Sequence, residues 1–185
     1  MVDEMKEKKI NYWLQEGKQS KITPAIKKIA NNFKGDELDK IMQICEWIDK
    51  NVPFNWEYKK TIKIFANRTA DKIIRDKFNV GCHDVAVLTA TFLRALKIPA
   101  RFIEGVNKLK PENQGHCVVE AYVKNRWILI DSVLFLIHMM PSRSDFYKEN
   151  YITGIGLDSW DNNVKTFDDW KKVSQKVINH IKKIK

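Results

Sequence analysis

The chain has 185 residues, 44% of them hydrophobic and 30% charged, which excludes a disordered segment and leaves enough apolar material for a core. Its formal net charge is +10, yet the excess is mostly lysine spread along the chain, with no arginine cluster and no RNP, zinc-finger or helix-turn-helix pattern. It therefore reads as a solvated lysine-rich face, not as a nucleic-acid surface.

The three cysteines, Cys45, Cys82 and Cys117, form no C-x-x-C pair. That argues against a disulfide framework and for reduced thiols in a cytoplasmic setting. The opening run MVDEMKEKK lacks the apolar stretch of a signal peptide, and no segment is long and apolar enough to span a membrane, so no membrane partner is expected. The oligomeric state is left open.

In chain order, Thr23-Pro24 is an N-cap followed by a proline at the first helical position, predicting a helix to about Asn32 that Gly35 could close. Asp36–Asn51 is a second helix, with Leu38, Ile41, Met42, Cys45 and Ile48 as its buried stripe. Cys45 is read there as a small core hydrophobe. Pro53 stops it, and Phe54, Trp56 and Tyr58 alternate with period two as a short strand or a pocket wall. A third helix is expected over Thr69–Phe78. Gly81 then breaks the pattern before a helix over residues 82–97, which is apolar nearly all round and hence central, with Arg94 and Lys97 at its solvent end.

Ala100–Val106 is strand-like and Asn107–Gly115 is a polar loop. His116–Val123 and Trp127–Val133 are strands by their β-branched and aromatic content. Residues 134–140 are apolar without a clear type, and Pro141, Ser142, Ser144, Gly154 and Gly156 mark loops. Thr166 with Asp169 resembles a capping box opening a last helix that runs through Ile178 towards Lys185. The layout is α+β: a helical N-terminal part with a central helix bearing a cysteine, packed on an antiparallel sheet.

Cys82 stands where a helix begins, and unpaired N–H groups and the helix dipole favour a thiolate there. A nucleophile of this kind needs a base, and the base needs an orienting acceptor. His180 falls in a lysine-rich tail, and His138 reads as a packing residue. His83, adjacent to Cys82 on the helix, diverges from it by about 100° and could flank the site without being placed to deprotonate the thiol. His116 is different. If Lys124-Asn125 is a two-residue turn, Val123 pairs with Arg126, and His116 and Asp131 become diagonal neighbours on one sheet face, roughly 7–8 Å apart at the backbone. A three-residue turn would put them on opposite faces. Zinc held by Cys82, His83, His116 and Cys117 is disfavoured because neighbours His116 and Cys117 point to opposite sides of a strand. No metal and no cofactor are expected.

The ordered set Thr69-Ala70, Gly81-Cys82-His83-Asp84, Leu93-Arg94-Ala95, Ile98-Pro99-Ala100-Arg101, Gly105, Gly115-His116, Glu120-Ala121-Tyr122 and Trp127 through Asp131 resembles the transglutaminase-like superfamily, a papain-related fold of cysteine enzymes. The resemblance covers roughly residues 36–131, with a weaker echo at Gly156-Leu157-Asp158-Ser159-Trp160. It implies a single domain over 1–185 with its core at about 36–160. It also implies Cys82 as nucleophile, His116 as general base and acid, and Asp131 as the orienter of His116. An aromatic upstream of the site helps the oxyanion hole or the substrate wall in that family. Asn51-Val52-Pro53-Phe54 resembles that place with Phe where Tyr is common; Phe has no hydroxyl, which leaves Trp56 or Tyr58 as substitutes. Ser132 stands where the family often has Pro, and the cysteine pair of zinc-dependent peptide N-glycanases is missing.

The expected activity is acyl transfer through a Cys82 thioester: hydrolysis of an amide bond in a peptide or protein, with transamidation onto a lysine amine or a non-catalytic peptide-binding role on the same fold as alternatives.

Overall fold

The computed structural model describes residues 10–184, with the backbone alone at Tyr58 and Ile184. Helix α1 is Pro24–Ala30, capped by the Thr23 side chain, which accepts from the Ile26 N–H. Helix α2, Glu37–Asn51, opens on a reciprocal capping box: the Asp36 carboxylate accepts from the Leu38 and Asp39 N–H groups, and the Asp39 carboxylate accepts from that of Asp36. Helices α3 (Tyr58–Ile64) and α4 (Ala70–Asp76, capped by Thr69) follow. Helix α5, Cys82–Ala95, is central: every residue from His83 to Arg94 is buried. Ile26 of α1, Ile41, Ile44 and Ile48 of α2, and Ile73 of α4 pack with it into the main core. Phe92 of α5 meets Phe33 and Trp47 edge-on, with ring centroids 5.6 and 5.2 Å apart. Each such ring contributes about 1.5–3 kcal/mol by leaving water.

The strands β1 (Ala100–Asn107), β2 (Gly115–Val123), β3 (Arg126–Asp131), β4 (Leu136–His138) and β5 (Asn150–Gly156) form one antiparallel sheet in the order β4-β3-β2-β1-β5. One face carries Phe102, Cys117, Val119, Ala121, Ile128 and Ile130 onto α5. The other carries Ile103, Val118 and Leu129 onto Phe146 of the short helix α6 (Asp145–Glu149). Helix α7, Phe167–Ile184, closes the chain. Thr166 and Asp169 form its cap, with the Asp169 N–H donating to the Thr166 hydroxyl. No helix of the described residues is long and apolar enough to cross a membrane.

The β2–β3 hairpin has the short turn: Val123 pairs with Arg126 and Val119 with Ile130, with Lys124 and Asn125 at positive φ of 47° and 64°. Elsewhere the sequence reading needs correction. Helix α1 ends at Ala30, so Gly35 is not its cap but precedes the cap of α2. Met42 is exposed and Ile44 takes its place on the buried stripe. The Phe54–Tyr58 alternation is not a strand: Phe54 makes one isolated bridge to Asn79, and Tyr58 opens α3. Strand β4 falls in the untyped 134–140 stretch, and helix α6 and strand β5 lie where loops were expected; Gly154 and Gly156 serve a strand that pairs along β1.

Arg94 is not at a solvent end. It is 1% exposed, and its guanidinium donates to the Ala100 and Leu157 carbonyls and to the Ser20 hydroxyl. Burial draws its pKa down to about 10, against the pull of Asp158 and Asp161.

Candidate active site

The segment leading to Cys82 is held from both sides. The Asn79 side-chain amide donates to the Val52 carbonyl and its oxygen accepts from the Gly81 N–H. Asp84, on the first turn of α5, accepts from the Val80 N–H at 2.9 Å and pairs with Arg68, both side chains being buried. Arg68 is fixed in turn by Asp76 at 3.1 Å and by the Phe78 ring, 4.6 Å below its guanidinium carbon. Gly81 has φ of +132°, a conformation open to glycine and strained for any side chain. These contacts set the direction in which α5 starts, and Cys82 is its first residue, half-buried at the wall of a cleft of about 550 Å³.

The short hairpin turn brings His116, near the start of β2, and Asp131, at the end of β3, together. His116 Nε2 lies 2.6 Å from Asp131 Oδ2, while Asp131 Oδ1 accepts from the Val133 and Leu134 N–H groups at 3.1 and 3.2 Å. Burial disfavours an imidazolium at His116, but hydrogen bonds to Asp131 and Cys82 outweigh it and push its pKa up to about 10. The Cys82 thiol is held well below the ordinary range by hydrogen bonding to Cys117 first, and against burial by His116 and His83.

His83, Cys117 and Glu104 form a second buried layer behind Cys82. Glu104 and Cys117 are cross-strand partners on β1 and β2, so both point towards α5. His83 Nδ1 lies 3.4 Å from the Cys117 sulfur and its Nε2 lies 3.2 Å from Glu104 Oε1. Burial lowers the His83 pKa, while the neighbouring Cys82 and Glu104 carry it up to about 10. The Cys117 thiol is pushed well up by burial and by the neighbouring Cys82.

Phe54 and Trp56 line the outer cleft, stacked with centroids 6.3 Å apart, and both are exposed. The Tyr58 side chain lies outside the described residues. His83 sits deep in the cleft, its ring tilted on Phe65 at 4.5 Å. Of the four residues weighed for zinc, Cys82, His83 and Cys117 gather within 4.8 Å of one another, while His116 turns to Asp131. Sequence reasoning missed Glu104 and Phe65, and it missed Phe167 and Trp170 of α7, which wall the cleft opposite Phe54. The signal for Glu104 was a carboxylate between Ile103 and Gly105 in a mostly apolar strand. Nothing local linked α7 to Cys82.

Among solved structures, a candidate cysteine protease from Cytophaga hutchinsonii superposes with a TM-score of 0.60 at 25% identity, covering 83% of this chain and 48% of that one. The chain thus spans about half the length of that protein. Calcium-bound LapG of Legionella pneumophila superposes with a TM-score of 0.53 at 15% identity, covering 91% of this chain and 97% of LapG, a likeness of fold. No curated protein matches the chain in sequence. The profile of the transglutaminase-like superfamily matches residues 26–132, from α1 through the end of β3 and including Cys82, His116 and Asp131. The chain belongs to the transglutaminase-like superfamily.

Proposed function

We propose that the protein is a cysteine-dependent acyl-transfer enzyme that hydrolyses an amide bond in a peptide or protein through a thioester on Cys82. The observation that carries this reading is the His116–Asp131 contact of 2.6 Å set beside a cysteine at a helix N-terminus. With Nε2 committed to Asp131, Nδ1 is the ring nitrogen left to exchange a proton with the sulfur and the leaving group. The Cys82 thiolate attacks the carbonyl carbon. The oxyanion is met by the Cys82 backbone N–H, which the helix does not use internally. His116 gives its proton to the departing amine, leaving a thioester. Water then attacks with His116 as base, releasing the acid and restoring the thiolate. The aromatic walls at Phe54, Trp56, Phe65, Phe167 and Trp170 favour an extended peptide with bulky apolar side chains near the scissile bond.

Incubation with a proteome-derived peptide library should give cleaved peptides with the wild type and none with Cys82→Ala. An acid quench should trap a hydroxylamine-sensitive acyl adduct on Cys82. Cleavage that survives Cys82→Ala would remove the proposal. Incorporation of an added primary amine, without new peptide termini, would replace hydrolysis by transamidation.

A further inference from the structure

The layer behind the nucleophile holds three chemistry-bearing groups that the mechanism above leaves unused: His83, Cys117 and Glu104. Each is buried. A histidine, a thiol and a carboxylate out of water are costly unless their polar atoms find partners. Yet Glu104 Oε1, though 3.2 Å from His83 Nε2, has no hydrogen-bond partner among the described residues, since the ring N–H does not lie on the line between them. We infer that Cys82, His83 and Cys117 form a binding site for a thiophilic divalent cation, zinc above all, and that occupation of this site takes Cys82 out of service as a nucleophile.

The geometry fits the metal. Donor distances of 2.0–2.3 Å in a tetrahedral zinc site place a sulfur and an imidazole nitrogen about 3.6 Å apart and two sulfurs about 3.8 Å apart. The Cys117 sulfur lies 3.4 Å from His83 Nδ1 and 3.8 Å from Nε2, off the line of the Nδ1 lone pair, and the whole set lies within 4.8 Å, so a turn of the His83 ring is what aims Nδ1 at the shared centre. Cys82 and His83 come from the first turn of α5 and Cys117 from the middle of the sheet, so two packed elements hold the ligands without any loop. When Nδ1 is on the metal, Nε2 carries the hydrogen, and the same turn of the ring brings it into line with Glu104 Oε1, now 3.2 Å away and without a hydrogen-bond partner among the described residues. That is the carboxylate–histidine–metal arrangement that fixes the tautomer and orientation of a ligating ring. Two thiolates and one imidazole suit zinc, whereas calcium and magnesium want oxygen donors. Three protein ligands leave the fourth position facing the cleft for water. The alternation that separates His116 from Cys117 is what makes both sites fit: Cys117 turns to the metal side and His116 to Asp131.

The silencing of Cys82 rests on its proposed role as nucleophile; the binding of the cation does not. The test is a cobalt(II) titration of the full chain, reduced with a phosphine and free of oxygen. Wild type and Cys45→Ser should show tetrahedral d–d bands and a thiolate-to-cobalt charge-transfer band. Cys117→Ser should lose most of that intensity, and Glu104→Gln should bind about 10- to 100-fold more weakly. One equivalent of zinc should protect Cys82 from iodoacetamide, and a chelator should reverse the protection. A folded wild type without the charge-transfer band, or a band unchanged by Cys117→Ser, would overturn the site. Both readouts are independent of turnover. A protein that binds cobalt through Cys117 but hydrolyses nothing upholds the site and removes only the catalytic reading of Cys82.

Discussion

At the residue scale the proposed chemistry turns on one imidazole ring and what each of its nitrogens faces. Asp131 holds His116 Nε2 at 2.6 Å and is itself held by two backbone N–H groups. The raised pKa of His116 has a definite sign. Its charged form contributes stability that is fully present below the ordinary histidine value of about 6.5 and is lost as pH rises through about 10. The Cys82 thiolate acts in the opposite sense, its contribution disappearing as pH falls through its lowered pKa. Asp131→Asn is a sharp probe of this pair. The asparagine oxygen can still accept from Val133 and Leu134, so the fold should persist, but its amide would donate to Nε2 and force the wrong tautomer. We expect kcat on a cleaved peptide to fall by about 10²–10⁴-fold with a much smaller change in KM, and the urea midpoint to drop, because the charge on His116 loses the partner that stabilises it. A fall of less than about threefold would contradict the role given to Asp131.

At the element scale the decisive feature is how α5 is started. A buried Arg68–Asp84 pair, with Asp84 also accepting from Val80, ties the segment before Cys82 to the first turn of the helix. Arg68 keeps Asp76 as a partner, so Asp84→Ala removes the charged hydrogen bonds of this turn without stranding the guanidinium and should cost about 2–3 kcal/mol by urea unfolding. A loss below about 1 kcal/mol would show that the pair is not fixing this turn. The start of α5, its buried character and the β2–β3 register could all be read from the chain, because a breaking glycine, an apolar run and a two-residue turn are local; the helix ends at Ala95, short of the expected residue 97. So could the meeting of His116 and Asp131, since strand register converts a local turn into a long-range contact. What escaped was set by partners distant in sequence. Arg94 looked like a solvent-facing end residue, yet Ser20, Ala100 and Leu157 enclose it. Strand β5 looked like loop because its glycines suit a turn, yet it completes the sheet beside β1 with a register shift at Glu104/Gly105. Cys117 was weighed only as part of a disfavoured zinc set, and the pairing with Glu104 across β1 and β2 shows what it faces.

At the scale of the whole molecule the site exists because segments far apart in the chain converge at one end of the sheet. Helix α5 delivers Cys82 and His83, β1 and β2 deliver Glu104, His116 and Cys117, and β3 delivers Asp131. Phe65 just after α3 and Phe167 and Trp170 of α7 close the cleft around them. The N-terminal segment is locked to the far end of the same core: Asp158 accepts from the Gln19 and Ser20 N–H groups, and Ser20 in turn accepts from Arg94. We propose that this convergence keeps Cys82 a thiolate at neutral pH, a state that site-resolved alkylation reads. Iodoacetamide labelling of Cys82, followed by peptide mass spectrometry with a chelator present, should change by less than about threefold between about pH 6 and pH 8, and His116→Ala should abolish that flatness. An ordinary thiol slows on the order of 100-fold over the same range. A wild-type Cys82 that follows the ordinary thiol would contradict the account.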